Sequence, residues 1–472
     1  MLVLIIIVYF AKLISELPPM KLFEGLKIKF EKPDWALNPE FGVIDTILEQ
    51  HSDIFLLFKA DIMGKSSSSK FGRGDVPTVE QIVRAAIYKE MKGLDYRELA
   101  YAQNDSRICA NFIKLDLRKP FSFQMFQSYI SRIKPETLQK VLYRINQIVI
   151  GEGFEDVQQL CQDTTVVESN IHHPTNNSLV WDCIKESHRL FGHLQKEITD
   201  LSYIDYTKGA KKTYFTLNVT KKEEARYGLF CTQLIRFTKV INQTSNAVKK
   251  NFGNLKADLI QIQMASLLKL MRQVYDMAYE LQIEGNQVPN EKKLFSIYEL
   301  HTDIIVKGQR KVEFGHKVSL ATGSSNLILD CQVLKGNPGD KTLYQGVINR
   351  VVKAYGIVPR DSAADGGYAT LDNLNFAKTM KIRNIVFNKV VGSLQNQVSS
   401  KNMETRLKKW RSSIEAVISN LKRGFNLERC NWKGWVHFQA KVMWSVLAYN
   451  FRVLTAMIMK SILLEQSLAQ AA

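Results

Sequence analysis

Glu415 stands among cations. The stretch Lys408-Lys-Trp-Arg-Ser-Ser-Ile-Glu-Ala-Val-Ile-Ser-Asn-Leu-Lys422 contains no Gly or Pro, and Ile414, Val417, Ile418 and Leu421 recur three or four residues apart, as on one buried helix face. At about 3.6 residues per turn, Lys408, Arg411, Glu415 and Lys422 fall on or near the opposite face. Two chemistries fit that face: an ordinary solvated ion pair, or a metal-binding carboxylate flanked by phosphate-binding Arg and Lys. The second needs further carboxylates, and Asp163 and Asp365 are the candidates. A few carboxylates that hold two hard divalent cations can activate a water or hydroxyl and stabilise a leaving oxygen in phosphodiester chemistry. Arg411 and Lys422 would then hold DNA phosphates.

The elements that must position these acids are readable in outline. Val157 to Glu168 is β-branched and apolar around Asp163 and reads as a core strand. A buried strand Asp needs a partner, either a cation or a backbone or Lys group at the strand end. Val358 to Tyr368 reads as a strand running into a Gly-Gly-Tyr turn, with Asp361 as a rival to Asp365 because four positions along a strand keep both on one face. Leu294–His301, Val312–Leu320 and Leu327–Val333 also read as strands, joined by turns near Gly308 and Gly323. Helices are expected at Thr342–Ala354 and Asp372–Thr379, with a strand Ile382–Phe387 after them. The acidic strand ends can meet in one cleft of such an α/β core.

Upstream lies a helical region. A helix is expected around Val43–Phe58, followed by the flexible Gly64-Lys-Ser-Ser-Ser-Ser-Lys-Phe-Gly-Arg-Gly74. Thr78 with Gln81, and Asp95 with Glu98, have the spacing of capping boxes, and Ser106 opens a third short helix. Short helices around Gly93 suit either helix-turn-helix DNA binding or a plain bundle. One further helix is expected from Met125 to Val149, and mostly helical structure from Trp181 to Gln287. That last block carries Lys208, Lys211, Lys212, Lys221, Lys222 and Arg226 near Tyr203, Tyr206, Tyr214 and Phe215, a pattern that serves nucleic-acid contact or a solvated face equally. The expected organisation is 1–19 as an upstream extension with the natural start at Met20, 20–150 as a helical N-terminal DNA-binding domain, and 151–182 with 291–455 as the core. Residues 183–290 form a helical insertion and 456–472 a tail.

Composition narrows the class. With 45% hydrophobic and 10% aromatic residues, the 472-residue chain is globular and long enough for two or three domains. Its 64 Lys and Arg against 46 Asp and Glu leave a formal charge of +18, which favours a polyanionic partner. Six scattered cysteines without a CxxC pair argue against zinc ribbons and a disulfide framework and fit a reducing cytoplasm. The apolar run Leu2–Phe10 is too short to span a bilayer and lacks the flanks of a signal peptide; an amphipathic anchor is the alternative to an upstream extension. His172 and His173 beside Pro174 read as loop residues, and Glu168 and Asp182 as structural acids.

Three segments together resemble the insertion-sequence transposases of the DDE type, close to the ISNCY group. They are Asp163-Thr-Thr-Val-Val-Glu-Ser-Asn-Ile-His-His-Pro-Thr-Asn-Asn-Ser-Leu-Val-Trp-Asp182, Ala364-Asp-Gly-Gly-Tyr368, and Arg411-x3-Glu415-x6-Lys422 continuing to Arg429, with Ala448-Tyr-Asn450 beyond. Thr78 to Leu99 also looks like the N-terminal helical domain of that family. The resemblance implies an α/β RNase H-like mixed sheet with a helical insertion, preceded by an all-α N-terminal domain. It implies Asp163, Asp365 and Glu415 as catalytic metal ligands for two Mg²⁺ ions, with Mn²⁺ a possible substitute. It implies DNA contacts from Arg411 and Lys422, to which Lys408 and Arg423 are added here. Implied partners are double-stranded DNA, as terminal inverted repeats and target, and further copies of the chain, with no membrane; the location would be the cytoplasm, on the nucleoid. A DNA-binding protein that has lost catalysis and an RNase H-like repair nuclease are the alternatives.

Overall fold

In the computed structural model, the described residues are 35, 37–64, 76–115, 120–306, 312–388 and 394–471. The proposed start at Met20, the Ser-rich connection beyond Gly64 and the Gly308 turn lie outside them. The chain divides into two compact units, Met1–Glu168 with His316–Ala472, and Ser169–Gly315.

Among the described residues, the first unit begins with seven helices: α1 Pro39–Gln50, α2 Asp53–Met63, α3 Val79–Lys92, α4 Tyr96–Asp105, α5 Arg107–Ile113, α6 Phe123–Ile130 and α7 Pro135–Gly151. Their ends follow local chemistry. Thr78 and Gln81 close a reciprocal capping box on α3, Asp95 and Glu98 do the same on α4, and Ser106 accepts from the Cys109 N–H at the start of α5. Gly93 ends α3 at φ +67°, a left-handed position that a side chain would strain. The expected helices at 43–58 and 125–149 are each two, broken at His51-Ser52 and at 131–134. α3 is buried from Gln81 through Met91. α3 is therefore a core element of the helical region.

The strand β1 Gln159–Ser169 follows, and the chain then passes through the second unit: α8 Asn176–Glu197, α9 Thr207–Val219, α10 Glu223–Lys249, α11 Leu255–Gln282 and the short β2 Asp303–Ile305. These helices pack around Phe191, Phe237, Met264 and Met271, with Ser187 and Thr244 hydrogen-bonded at 2.8 Å in the interior. The expected strand Leu294–His301 is irregular instead. Ser296 Oγ accepts from the Tyr298 and Glu299 N–H groups, and this side-chain turn competes with an extended ladder. β2 pairs antiparallel with Glu313–Gly315 of the next strand.

Beyond it come β3 Glu313–Thr322, β4 Ile328–Val333, α12 Tyr344–Tyr355, β5 Asp361–Ala364, α13 Leu371–Thr379, β6 Asn384–Phe387, α14 Lys401–Arg411, α15 Ser413–Gly424, β7 Arg429–Cys430 and α16 Trp435–Ala471. In the first unit the strand order is β3-β1-β5-β6, with β4 antiparallel on β3 and β7 on β1. β1, β5 and β6 run parallel. The sheet is therefore mixed, as the α/β expectation requires.

The stretch expected to be one helix, Lys408–Lys422, is two. Ser412 donates both its N–H and its Oγ to the Lys409 carbonyl, tightening the last turn of α14 before α15 begins. α16 is unbroken through 456–471, where a separate tail was expected. It packs on α7, α3, α1 and β4. Trp435–Leu464 has the length and hydropathy of a membrane-crossing helix, yet most of its apolar stretch is buried, as in a core helix. Asn450 on α16 is fully buried; its Oδ1 accepts from the Ile328 N–H at 3.0 Å and its Nδ2 donates to the Ile328 carbonyl and to Asn146 Oδ1.

Candidate active site

Parallel register brings two of the acids together. Gln162 on β1 stands opposite Ala364, the last residue of β5, so the next residues on the two strands are Asp163 and Asp365. Asp163 and Cys161 share one face of β1. The Cys161 thiol donates to the Arg411 carbonyl at 3.6 Å, which docks the end of α14 on the strand. Glu415 follows in the first turn of α15.

One guanidinium links all three carboxylates. Arg411 Nη1 is 3.6 Å from Asp163 Oδ2 and 3.9 Å from Asp365 Oδ1, and Nη2 is hydrogen-bonded to Glu415 Oε1. The two aspartate oxygens, each within 4 Å of one nitrogen, are at most about 8 Å apart. The Arg411 side chain is 11% exposed, Asp365 and Glu415 are half or more exposed, and so the acids open to solvent above a buried cation. Three carboxylates this close repel one another, and the guanidinium offsets that repulsion.

The donor set is all oxygen and anionic, which fits a hard divalent cation. As the side chains stand, no three His, Cys, Asp or Glu among the described residues converge at ligand distance, because Arg411 lies between them. The surroundings carry unmet polarity. Tyr368 Oη, Arg411 Nε, Trp410 Nε1 and Ser413 Oγ are buried without a hydrogen-bond partner. Of these, Arg411 is the residue in contact with the three acids and Tyr368 lies within the field of Asp163 and Asp365, so the site holds polar atoms able to take a further group. Burial pushes the Tyr368 phenol well up, and nearby Asp340, Asp163 and Asp365 add to this, so it stays protonated.

Asp340 was not among the expected site residues. Its Oδ1 accepts from Thr164 Oγ1 and from Lys317 Nζ, each at 3.2 Å, and its other oxygen would lie 3.2 Å from a Cβ placed on Gly367. It therefore packs against the turn that carries Asp365 and beside the strand residue after Asp163. In sequence it sits in Asn337-Pro-Gly-Asp340, where turn chemistry accounts for it fully.

The rival Asp361 lies at the far end of β5 and is fully buried. It accepts from Arg360 at 2.8 Å and Asn384 at 2.6 Å. Burial alone would raise its carboxyl, but these donors and Gln159 outweigh it and hold the group below the usual carboxylate range. Lys408 is apart from the acids, paired with Glu404 at 2.6 Å on its own helix. Lys422 is half-buried and Arg423 exposed at the end of α15, neither with an ion pair among the described residues. Glu168 pairs with Arg429 at 3.0 Å. In the second unit, Asp182 faces His172 at 3.4 Å and Lys185 at 3.5 Å, and burial raises its carboxyl against the opposing effect of these neighbours. His173 packs edge-on to Phe314.

Residues 300–451 match the family model of the transposase DDE domain. The matched span contains Asp340, Asp365, Arg411, Glu415 and Lys422, while Asp163 precedes it. No curated protein and no solved structure matches the chain.

Proposed function

We propose that this chain is an insertion-sequence transposase of the DDE type, ISNCY-like, with an RNase H-like core that cuts DNA at the terminal inverted repeats of its element and joins the freed 3′ ends to target DNA. The observation that carries the reading is the convergence of Asp163, Asp365 and Glu415, from three separate segments, on one guanidinium. The transposase DDE domain over 300–451 supports it independently.

In this reading Asp163, Asp365 and Glu415 hold Mg²⁺, with Mn²⁺ able to replace it. Bound there, divalent cations activate the attacking water or 3′ hydroxyl and stabilise the leaving oxygen. The chain's own groups do the rest. Arg411 turns from the carboxylates to the DNA phosphate beside the cut, and Lys422 and Arg423, two turns after Glu415 on α15, hold the backbone beyond it. Tyr368, kept protonated, would offer a phenol hydrogen-bond donor beside Asp163 and Asp365. Asp340, fixed by Lys317 and Thr164, braces the Gly366-Gly367 turn beneath Asp365. The protein works as a homo-oligomer on DNA, in the cytoplasm on the nucleoid.

The test is Mg²⁺-dependent cleavage of DNA that carries the element's ends. Wild type should cut and Glu415→Gln should bind without cutting. Binding without cleavage by wild type would leave a DNA-binding protein and remove the enzyme.

A further inference from the structure

Away from the carboxylates, a cavity of about 610 Å³ lies between α3, the start of α4, the 425–433 segment and the start of α16. Its floor is a buried charge triad. Glu90 accepts from Lys89 Nζ at 2.7 Å through one oxygen and from Lys441 Nζ at 2.5 Å through the other, and all three side chains are less than a tenth exposed. Burial opposes the Glu90 charge, but the two lysines outweigh it and hold the carboxyl below its ordinary range. One carboxylate against two ammonium groups leaves a positive charge in a buried place, which is costly without an anion beside it. Each ammonium has three donors, and each uses one on Glu90.

The walls suit a planar ring. Trp432 and Tyr96 have centroids 6.3 Å apart with planes inclined by 31°. The Lys89 ammonium lies 5.0 Å from the Tyr96 centroid and 5.4 Å from that of Trp432, so charge and aromatic surface meet at one point. Lys433 and His437 add to the rim. The acids on the rim are already engaged: Asp95 Oδ1 accepts from the Arg97 and Glu98 N–H groups, and Glu98 accepts from the Asp95 N–H, as the capping box of α4. Arg429 is tied to Glu168.

We infer that this cavity binds a nucleotide, with its phosphate at the Lys89 and Lys441 ammonium groups and its base against Trp432 and Tyr96. The volume is within the range of small-molecule sites, and stacking on an aromatic side chain accepts any base. The same chemistry has two sources, a free deoxynucleotide or a nucleotide turned out of bound DNA. The second source rests on the proposed function, in which Lys422 and Arg423 hold the DNA backbone; they lie at the end of α15, a few residues before Phe425 and Asn426 of the cavity wall. The cavity shares no residue with the carboxylate cluster.

Calorimetric titration of the full chain with dAMP, with inorganic phosphate, and with a short duplex containing one unpaired base tests this. Wild type and Glu415→Gln should bind alike. Trp432→Leu should weaken nucleotide binding by about 10-fold or more, as expected from a lost base stack, and Lys433→Ala by several-fold, with inorganic phosphate competing in each case. Trp432 lies in the wall and Lys433 at the rim, and far-UV circular dichroism checks that both variants fold. Loss confined to the duplex with the unpaired base assigns the source to DNA, and loss for dAMP assigns it to the free nucleotide. If neither ligand's affinity depends on Trp432 or Lys433, the triad serves only to link α3 to α16 and the proposal is wrong. Nucleotide binding in a protein that cuts no DNA would sink the transposase reading alone; Glu415-dependent cleavage with no Trp432-dependent binding would sink the pocket alone.

Discussion

Arg411 places one positive charge among three carboxylates, and that charge competes with any divalent cation for the same oxygens. Arg411→Gln should therefore tighten Mn²⁺ binding, measured by the water-proton relaxation of free and bound Mn²⁺, while weakening DNA binding. If the variant binds Mn²⁺ more weakly than wild type, the guanidinium is a structural support for the site and not a competitor. Each of Asp163→Asn, Asp365→Asn and Glu415→Gln should lower Mg²⁺-dependent cleavage by more than about 100-fold, since even the outer partners of metal ligands are worth about 10–100-fold. Asp361 belongs to a different account. Its folded carboxyl is held low by Arg360, Asn384 and Gln159 against the opposing effect of burial. The stability it contributes is complete above its unfolded value and is lost as pH falls through the lower folded one. Asp361→Asn should flatten the acid side of a plot of urea midpoint against pH, and an unchanged acid limb would remove Asp361 from that role.

At the scale of elements, the joint at Ser412 sets Arg411 and Glu415 on consecutive helices instead of one, and α14 is docked on β1 through Cys161. Asn450 does comparable work elsewhere in the first unit, tying α16 to the start of β4 and to Asn146 of α7. Asn450→Ala leaves the buried Ile328 N–H without its acceptor and should cost about 2 kcal/mol in urea unfolding. A loss under about 0.5 kcal/mol would mean that the edge relaxes around the gap. What was legible in the sequence at this scale was local chemistry. Thr78 with Gln81 and Asp95 with Glu98 announce helix starts because cap partners lie three residues apart, and the β-branched run around Asp163 announces a strand. Features that depend on competition were less legible. Ser412-Ser413 carries no breaker, yet its side-chain bond to Lys409 ends α14. Leu294–His301 alternates like a strand, but Ser296 turns it. Asp340 was hidden by an ordinary turn motif, and only the packing of that turn against Gly367 and Thr164 shows where its carboxylate faces. The three acids were proposed from residue type, order and the resemblance; that one arginine contacts all of them was not expected from the sequence.

For the molecule as a whole, the proposed DNA binding by a chain of +18 formal charge should be salt-sensitive. In the second unit, Lys208, Lys211, Lys212 and Phe215 are exposed on α9 at the spacing of one helix face, so part of that charge is displayed on the helical insertion. The logarithm of the DNA-binding constant should fall linearly with the logarithm of salt concentration, and Arg411→Ala and Lys422→Ala should each reduce the slope by about 1. An unchanged slope would place the phosphate elsewhere.

In the proposed function Asp163, Asp365 and Glu415 form one divalent-cation site. Calorimetric titration of Mn²⁺ into wild type, Asp163→Asn, Asp365→Asn and Glu415→Gln tests it without requiring a DNA substrate. Saturable binding in wild type that each of the three substitutions weakens is the expected result. Equal affinity in all four proteins, or loss in only one of the three, would contradict a shared site.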